Sequence, residues 1–487
     1  MARSRWLEPT LLLLIVALAA ALRLWRVAET PGWFTDEGTH LEIARHLANG
    51  RIQYLSVTQS VLLFARLPLF EWLLAGAVRL FGLGMGTLRG VTAVLGTTSV
   101  VLLYALLRDV SKDRWLALTA ALLLAVFPAA VVYSRFGFSY NLLVPLGLTA
   151  VWGFARYDLG QKSGLIWAAA AIGLALITDL WALSLLPILL IVVARRRWRD
   201  LAWALPLALL PLGVYTAVSL LTVPDAFWFD WQFTLARVRL PLPAQLQTLA
   251  LNAVTLLSQS GWLALGIVGL FALQPRRLQR LAWLFLLLPF LVIGRTAALY
   301  SLSFYYTIPL LPWAAVGSAA LLRYGTVRLT AGQRWAAWLL AALLVGSSTW
   351  LLGSQVQGRL ETAVDPFLLP AADAQAAADF LNARLQPDDL TILSPTLAWL
   401  VNGRVADFQL AAIALGEQPP HIPTNLPAER QLFTTDYRQA RFVVIDPLWR
   451  SWATFNVPGV PNIMAEVAHW PLVFESGSTQ IFQNPSH

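Results

Sequence analysis

What most constrains this chain is a series of strongly apolar segments separated by short loops rich in Arg and Lys. The segments are 9–25, 88–107, 115–133, 141–155, 164–178, 180–194, 200–222, 247–273, 281–294, 304–322 and 335–353. About 20 apolar residues in a helix cross the hydrocarbon of a bilayer, and helices satisfy their own backbone polar groups there. The pattern therefore predicts a polytopic helical membrane protein. Arg3 and Arg5 precede the first segment, and later loops carry Arg108, Lys112 and Arg114, then Arg156 and Lys162, then Arg195, Arg196, Arg197 and Arg199. Further along come Arg276, Arg277 and Arg280, and lastly Arg323, Arg328 and Arg334. About 11 transmembrane helices place all of these clusters on the cytoplasmic side, as the positive-inside rule requires.

One further stretch, 67–84, is apolar enough to be a twelfth span, but it contains Glu71 and Arg79, and crossing there would move the Arg108 and Arg195 clusters outside. It is predicted to be an interfacial helix on the outer leaflet. The run 164–194 is interrupted at Thr178-Asp179 and is predicted to break into two short helices meeting at the outer surface. Ala19-Ala20-Ala21 resembles a signal-peptide cleavage site, but ten more segments follow and favour an uncleaved first span.

Composition agrees. Hydrophobic residues make up 58% of the 487 and charged residues 13%, against about 25% charged in a soluble chain. The absence of cysteine excludes disulfides, thiolate zinc sites and cysteine nucleophiles. The net charge of +9 is uneven: residues 360–487 hold six arginines against thirteen acids, and the rest holds 29 basic groups against 13 acidic ones. The basic excess thus reflects topology, and membrane lipids rather than nucleic acid are the expected partners. Two parts follow: 1–354, a transmembrane domain with a long external loop at 27–87, and 355–487, a small C-terminal extracytoplasmic α/β domain. In the latter, 371–385 reads as an amphipathic helix, and 390–394, 441–446, 472–474 and 480–482 read as strands. Asn402-Gly403 is a pair favoured in tight hairpin turns.

With this topology the unusual residues collect outside: Asp36, Glu37, Arg66, Arg135, Asp179, Asp230, Arg237, Arg239 and Arg295. The adjacent carboxylates in Gly32-Trp33-Phe34-Thr35-Asp36-Glu37-Gly38 follow the first span and open a short amphipathic helix. Carboxylates at a bilayer edge are costly to desolvate and mark function. Read alone, Asp36 could equally be the N-cap of a helix 37–49 ended by Gly50, and Glu37 a first-turn partner of the helix dipole. Arg66, Arg135 and Arg295 could snorkel to headgroups, and Tyr305-Tyr306 could sit in an aromatic belt. His40 and His46 with Asp36 form only a weak metal pattern, so no metal is expected.

The carboxylate pair, then Arg66-Leu67-Pro68-Leu69-Phe70-Glu71-Trp72, Leu88-Arg89, Leu103 to Arg108, Pro128 to Arg135 and Tyr305 to Pro312 occur in an order and spacing that resembles the GT-C glycosyltransferases over about residues 10–325. The nearest types are the polyprenyl- or dolichyl-phosphate-mannose protein mannosyltransferases and the bacterial aminoarabinose transferase. The resemblance implies transfer of a sugar, with inversion, from a polyprenyl-phosphate carrier to an acceptor outside the cytoplasm, in a prokaryotic plasma membrane. It implies Asp36 as catalytic base with Glu37 as its partner, and Arg66 on the donor phosphate. Arg135 and Arg295 are further phosphate candidates, and Asn141, Tyr305 and Tyr306 possible substrate-site residues. Asn141, in Ser139-Tyr140-Asn141-Leu142, stands where many relatives have an aspartate, which weakens any role needing a second carboxylate or a metal.

Chemistry supports the same roles. A glycosyl phosphate has a good leaving group, and lacks an activated acceptor oxygen and relief for the departing charge. A carboxylate supplies the first and guanidinium groups the second. The acceptor could be a protein, a lipid or a polysaccharide. Two other classes compete: a transporter or flippase of lipid-linked sugars, and a non-catalytic binder of them. Transporters usually show repeated halves and midplane charges, and this sequence shows neither.

Overall fold

The computed structural model describes residues 3–59, 66–237, 240–259, 261–295, 301–328 and 368–487, with five isolated positions between 335 and 346. The expected span 335–353 lies outside the described residues except for those positions, and so do Arg239 and the domain junction near 355. The chain forms two compact units. One comprises Met1–Trp25, Thr92–Thr222 and Leu235–Ser354; the other comprises Arg26–Val91, Val223–Thr234 and Gln355–His487. The units do not follow chain order: two internal segments join the C-terminal one.

The first unit is helical, with a continuous core of Leu, Ala, Val and Ile from nearly every helix. Apolar helices with no water to hide from associate through close packing, and small residues make that possible. A Cβ on Gly317 would fall 1.8 Å from the Gly266 carbonyl oxygen, so Gly261–Leu270 and Leu311–Arg328 cross with their backbones in contact. Among the described residues five helical stretches are long and apolar enough to cross a bilayer: Trp6–Leu24, Met85–Ser111, Leu180–Thr222, Arg276–Gly294 and Tyr305–Val327. A sixth is the pair Arg114–Val126 and Pro128–Ser134, bent by 58° where Pro128 starts a new helix. Other expected spans are shorter or broken. Segment 164–178 is Lys162–Leu176, whose 15 residues rise only about 22 Å, and 247–273 divides into Leu242–Gln259 and Gly261–Leu270. The expected break after 176 is present: Asp179 Oδ1 accepts the Trp181 N–H at 2.8 Å and starts a 3-10 turn, Leu180–Ser184.

The second unit contains a mixed sheet. Its strands, numbered with the short pairs that precede them, are β1 (Trp33–Phe34), β2 (Gln53–Tyr54), β3 (Val57–Thr58), β4 (Leu368–Leu369), β5 (Leu390–Leu393), β6 (Arg404–Asp407), β7 (Phe442–Ile445), β8 (Leu472–Ser476) and β9 (Thr479–Gln483). The five-stranded order is β6-β5-β7-β9-β8. β5 and β7 are buried at every position and apolar except for Thr391, as strands inside a sheet must be. The helix Ala371–Asn382 packs against the β8–β9 hairpin, where the Phe380 and Phe474 rings lie 4.8 Å apart. The Asn402-Gly403 pair makes no hairpin. β5 and β6 are parallel, joined through the short helix Pro395–Ala398, and Gly403 (φ +93°) turns the chain into β6.

The remainder of this unit is built against the same C-terminal segment. β1 pairs antiparallel with β4, Trp33 opposite Leu369. The helix Thr35–Ala48 passes so close to Pro395–Ala398 that a Cβ on Gly38 would lie 2.0 Å from the Pro395 carbonyl oxygen. The stretch expected to be interfacial is the helix Pro68–Phe81, begun by Pro68 at its first turn and 14 residues long, a rise of about 21 Å. Asp230 is buried against Arg430, with Nη1 to Oδ1 at 3.1 Å, and Arg430 also donates to the Thr58 and Gln59 carbonyls. Burial nevertheless raises the Asp230 pKa to about 6, opposed by the Arg430 charge.

Candidate active site

The carboxylate pair lies within the second unit. The helix carrying it begins at Thr35 with Phe34 as N-cap, so Asp36 is not the cap. Glu37 takes that work: its Oε2 accepts the Phe34 N–H at 2.9 Å. Both Glu37 oxygens also receive Arg89, Nε to Oε1 at 2.7 Å and Nη2 to Oε2 at 2.5 Å, and the pair is sealed from solvent. Arg89 uses its remaining donors on the carbonyls of Val27, Pro31 and Gly32. One buried guanidinium thus fixes the loop entering the helix and the start of the helix itself.

Asp36 differs. Its side chain is a third exposed, and Arg66 Nη2 donates to Oδ1 at 3.3 Å. Arg66 Nη1 points at His40 Nε2, 2.9 Å away. A guanidinium only donates, so His40 Nε2 must accept and the imidazole proton sits on Nδ1. That proton is donated to Glu71 Oε1 at 2.6 Å. His40 and Glu71 are buried, and the edge of Phe70 packs on the imidazole at 5.1 Å. A line of four residues, Glu71, His40, Arg66 and Asp36, therefore runs from the interior to the surface. The i, i+4 spacing of Asp36 and His40 puts both on one helix face, and Glu71 comes from Pro68–Phe81 packed beside it.

Sequence alone assigns no catalytic role to Glu71 or Arg89 and offers His40 only as part of a weak metal pattern. Glu71 was visible as an acid inside an apolar stretch, and such an acid signals a buried partner. Which partner it takes depends on the crossing of two helices, which spacing does not specify. His46 instead bonds Glu42, Nε2 to Oε1 at 2.9 Å. Among the described residues no group of three His, Cys, Asp or Glu side chains could hold a metal ion.

The remaining candidates belong to the first unit. Arg135 is buried and donates to the carbonyls of Leu22 (2.8 Å) and Trp25 (2.7 Å), closing the C-terminal end of the helix Arg3–Leu24. It acts as a helix cap, because the carbonyls at the C-terminal end of that helix favour a cation inside the protein. Asn141 Nδ2 donates to the carbonyls of Tyr133, Phe136 and Phe138 at 3.0–3.2 Å. An ionised aspartate could not donate, so the amide at this position is the residue that clamps the turn. Tyr305 stacks on Phe138 at 4.5 Å, and Tyr306 meets Tyr140 edge-on at 5.2 Å, both tyrosines half-buried in an aromatic cluster. Arg295 is exposed and reaches Gln245 Oε1 at 3.3 Å.

Residues 65–228 match the family described as dolichyl-phosphate-mannose-protein mannosyltransferase, over about a third of the chain. No curated protein matches the chain in sequence. Solved structures do match in fold. ArnT from Cupriavidus metallidurans bound to undecaprenyl phosphate superposes with a TM-score of 0.70 at 16% identity, over 97% of each chain. Its apo state gives 0.69 at 15% identity, covering 99% of this chain and 98% of that one. The Archaeoglobus fulgidus oligosaccharyltransferase, tethered to an acceptor peptide containing an NVT sequon, gives 0.55 at 13%, covering 92% of this chain and 70% of that one. The resemblance drawn from the motifs holds: the chain has the GT-C glycosyltransferase fold, mainly helical and membrane-integral, with a small C-terminal sheet.

Proposed function

We propose that this chain is an inverting glycosyltransferase that moves a sugar from a polyprenyl-phosphate donor to an acceptor hydroxyl at the external membrane face, with Asp36 as general base. One observation carries the reading. Of the four carboxylates on or against the helix Thr35–Ala48, three are buried in bonds to Arg89, to Arg45 and His46, or to His40, and Asp36 is open to a substrate while beside a guanidinium. The acceptor oxygen attacks the anomeric carbon opposite the phosphate, and its proton passes to an Asp36 oxygen. The carbon–oxygen bond to phosphate breaks with its electron pair leaving on the polyprenyl phosphate. Arg66 neutralises that departing charge, and its 3.3 Å bond to Asp36 is long enough to exchange readily for a phosphate oxygen. Glu37 acts as a positioning group, and no metal enters the scheme. Within the first unit, Tyr305 and Tyr306 offer an aromatic surface suited to a prenyl chain. The catalytic part is 1–354 and 355–487 its extracytoplasmic companion. The undecaprenyl phosphate bound by ArnT supports the donor class.

The test is to incubate the purified full-length protein with a panel of polyprenyl-phosphate sugars, with and without peptide, lipid and polysaccharide acceptors. Release of polyprenyl phosphate from one member of the panel is expected. A protein that leaves every donor intact yet carries a labelled lipid-linked sugar across liposomes would instead be a flippase.

A further inference from the structure

A cavity of about 330 Å³ in the first unit has no part in the proposed reaction. It opens between the C-terminal end of Leu185–Arg197 and the N-terminal end of Arg276–Gly294, and its polar wall is Arg195, Arg196, Arg277, Arg280 and Asp158. Four guanidinium groups surround one carboxylate, leaving a net positive charge of three. Arg196 Nη1 donates to the backbone carbonyl of Asp158, and among the described residues the Asp158 carboxylate forms no ion pair. Arg277 reaches the Val110 carbonyl through Nη2 at 3.2 Å, and its buried Nε has no partner.

Topology puts these arginines on one side of the membrane but does not require four of them to line one cavity. Arginines at the end of Leu185–Arg197 match the negative pole of that helix, an ordinary placement. Those at the start of Arg276–Gly294 face the positive pole, where the first turn has no acid and Pro275 provides no side-chain cap. Repulsion among these groups is relieved by an anion, and a helix N-terminus favours one. The other wall is apolar: Ile191, Val192, Leu281 and Leu284, with Ile191 more than a third exposed. A charged floor beside an apolar wall that reaches the surface at Ile191 fits a headgroup with its acyl chains attached better than a soluble phosphate, and basic pockets between membrane helices bind anionic headgroups.

We infer that this cavity is a binding site for an anionic phospholipid, its phosphate held by Arg195, Arg277 and Arg280 and its chains lying along Ile191 and Leu284. The site is independent of the reaction at Asp36. The test is native mass spectrometry of the delipidated full-length protein, titrated with phosphatidylglycerol and phosphatidylcholine of identical acyl chains. One phosphatidylglycerol is expected to bind about tenfold more tightly than phosphatidylcholine, and an R195Q/R280Q double variant should lose that preference. A control variant, R51Q/R114Q, removes two exposed positive charges elsewhere and should keep it. D158N should bind phosphatidylglycerol at least threefold more tightly, a gain that misfolding does not produce. Equal binding of the two lipids, an equal loss in the control, no gain in D158N, or displacement of the lipid by millimolar inorganic phosphate would each overturn the inference.

Discussion

Asp36 and Glu37 are neighbours in the chain and opposite in circumstance. A helix turns about 100° per residue, so the two carboxylates leave different faces. Glu37 meets Arg89 in the interior and Asp36 meets Arg66 at the edge. Asp36→Asn should therefore lower transfer by roughly 10²–10⁴-fold with the melting temperature nearly unchanged, since Asp36 neither caps its helix nor is buried. Donor turnover within threefold of wild type would remove Asp36 from the mechanism. Arg66→Ala should weaken donor use more than acceptor use, with Arg66→Lys restoring only part, because lysine has no fork to bridge His40, Asp36 and a phosphate oxygen. Unchanged donor KM and kcat in both variants would assign the phosphate to another cation.

At the scale of elements, the site helix is positioned from outside its own sequence. Gly38 allows Pro395–Ala398 to lie against it, and Trp33 packs on Trp399 with ring centroids 5.5 Å apart. Gly38→Ala has a favourable helix propensity and should still destabilise, since its methyl group would overlap the Pro395 backbone and force the two elements apart. A fall in melting temperature together with lost transfer is expected, and a variant at least as stable as wild type would contradict the contact. A second contact is sensitive to pH. Asp407 at the end of β6 is buried, caps the next helix through the Leu410 N–H at 2.8 Å, and accepts from Tyr54. Burial, opposed by those hydrogen bonds, raises its pKa to about 6, so the folded state holds a proton more tightly than the unfolded chain. This stabilisation is complete below about pH 4 and is lost as pH rises through about 6. Between pH 4.5 and 7.5 the wild type should lose stability relative to Asp407→Asn, and parallel melting curves for the two would refute the titration.

At the scale of the whole molecule, the second unit imposes a parity. Segments Arg26–Val91, Val223–Thr234 and Gln355–His487 form one compact body, and with that body on the external side, as proposed, its three segments share one side of the bilayer. The chain between 92 and 222 must then cross an even number of times, and so must the chain between 235 and 354. Six and four expected spans satisfy this, and a crossing at 67–84 would split the unit in two. Cysteines replacing Asn49, Gln232 and Asn425, all exposed, should react with an impermeant thiol reagent in intact cells, and one at Ser163 should not. Opposite labelling at 49 and 232 would break the parity and the proposed single site with it.

Hydropathy and charge in the sequence determined the membrane class, the break near Thr178-Asp179, the short helix near 70 and four of the five strands of the C-terminal sheet, because burial and solvation act on each segment wherever its neighbours lie. The identity of Asp36 as the open carboxylate was legible only through the motif it shares with a known family. The rest was decided in three dimensions. Arg135 and Asn141 look polar and available in sequence, and are consumed by backbone carbonyls that only helix packing brings to them. Glu71, His40 and Arg66 join through the crossing of two helices, and the Asn402-Gly403 turn gives way to a parallel pair because β5 is buried between two neighbours. A side chain's role follows from which donors and acceptors reach it, and long-range packing, not local sequence, sets that.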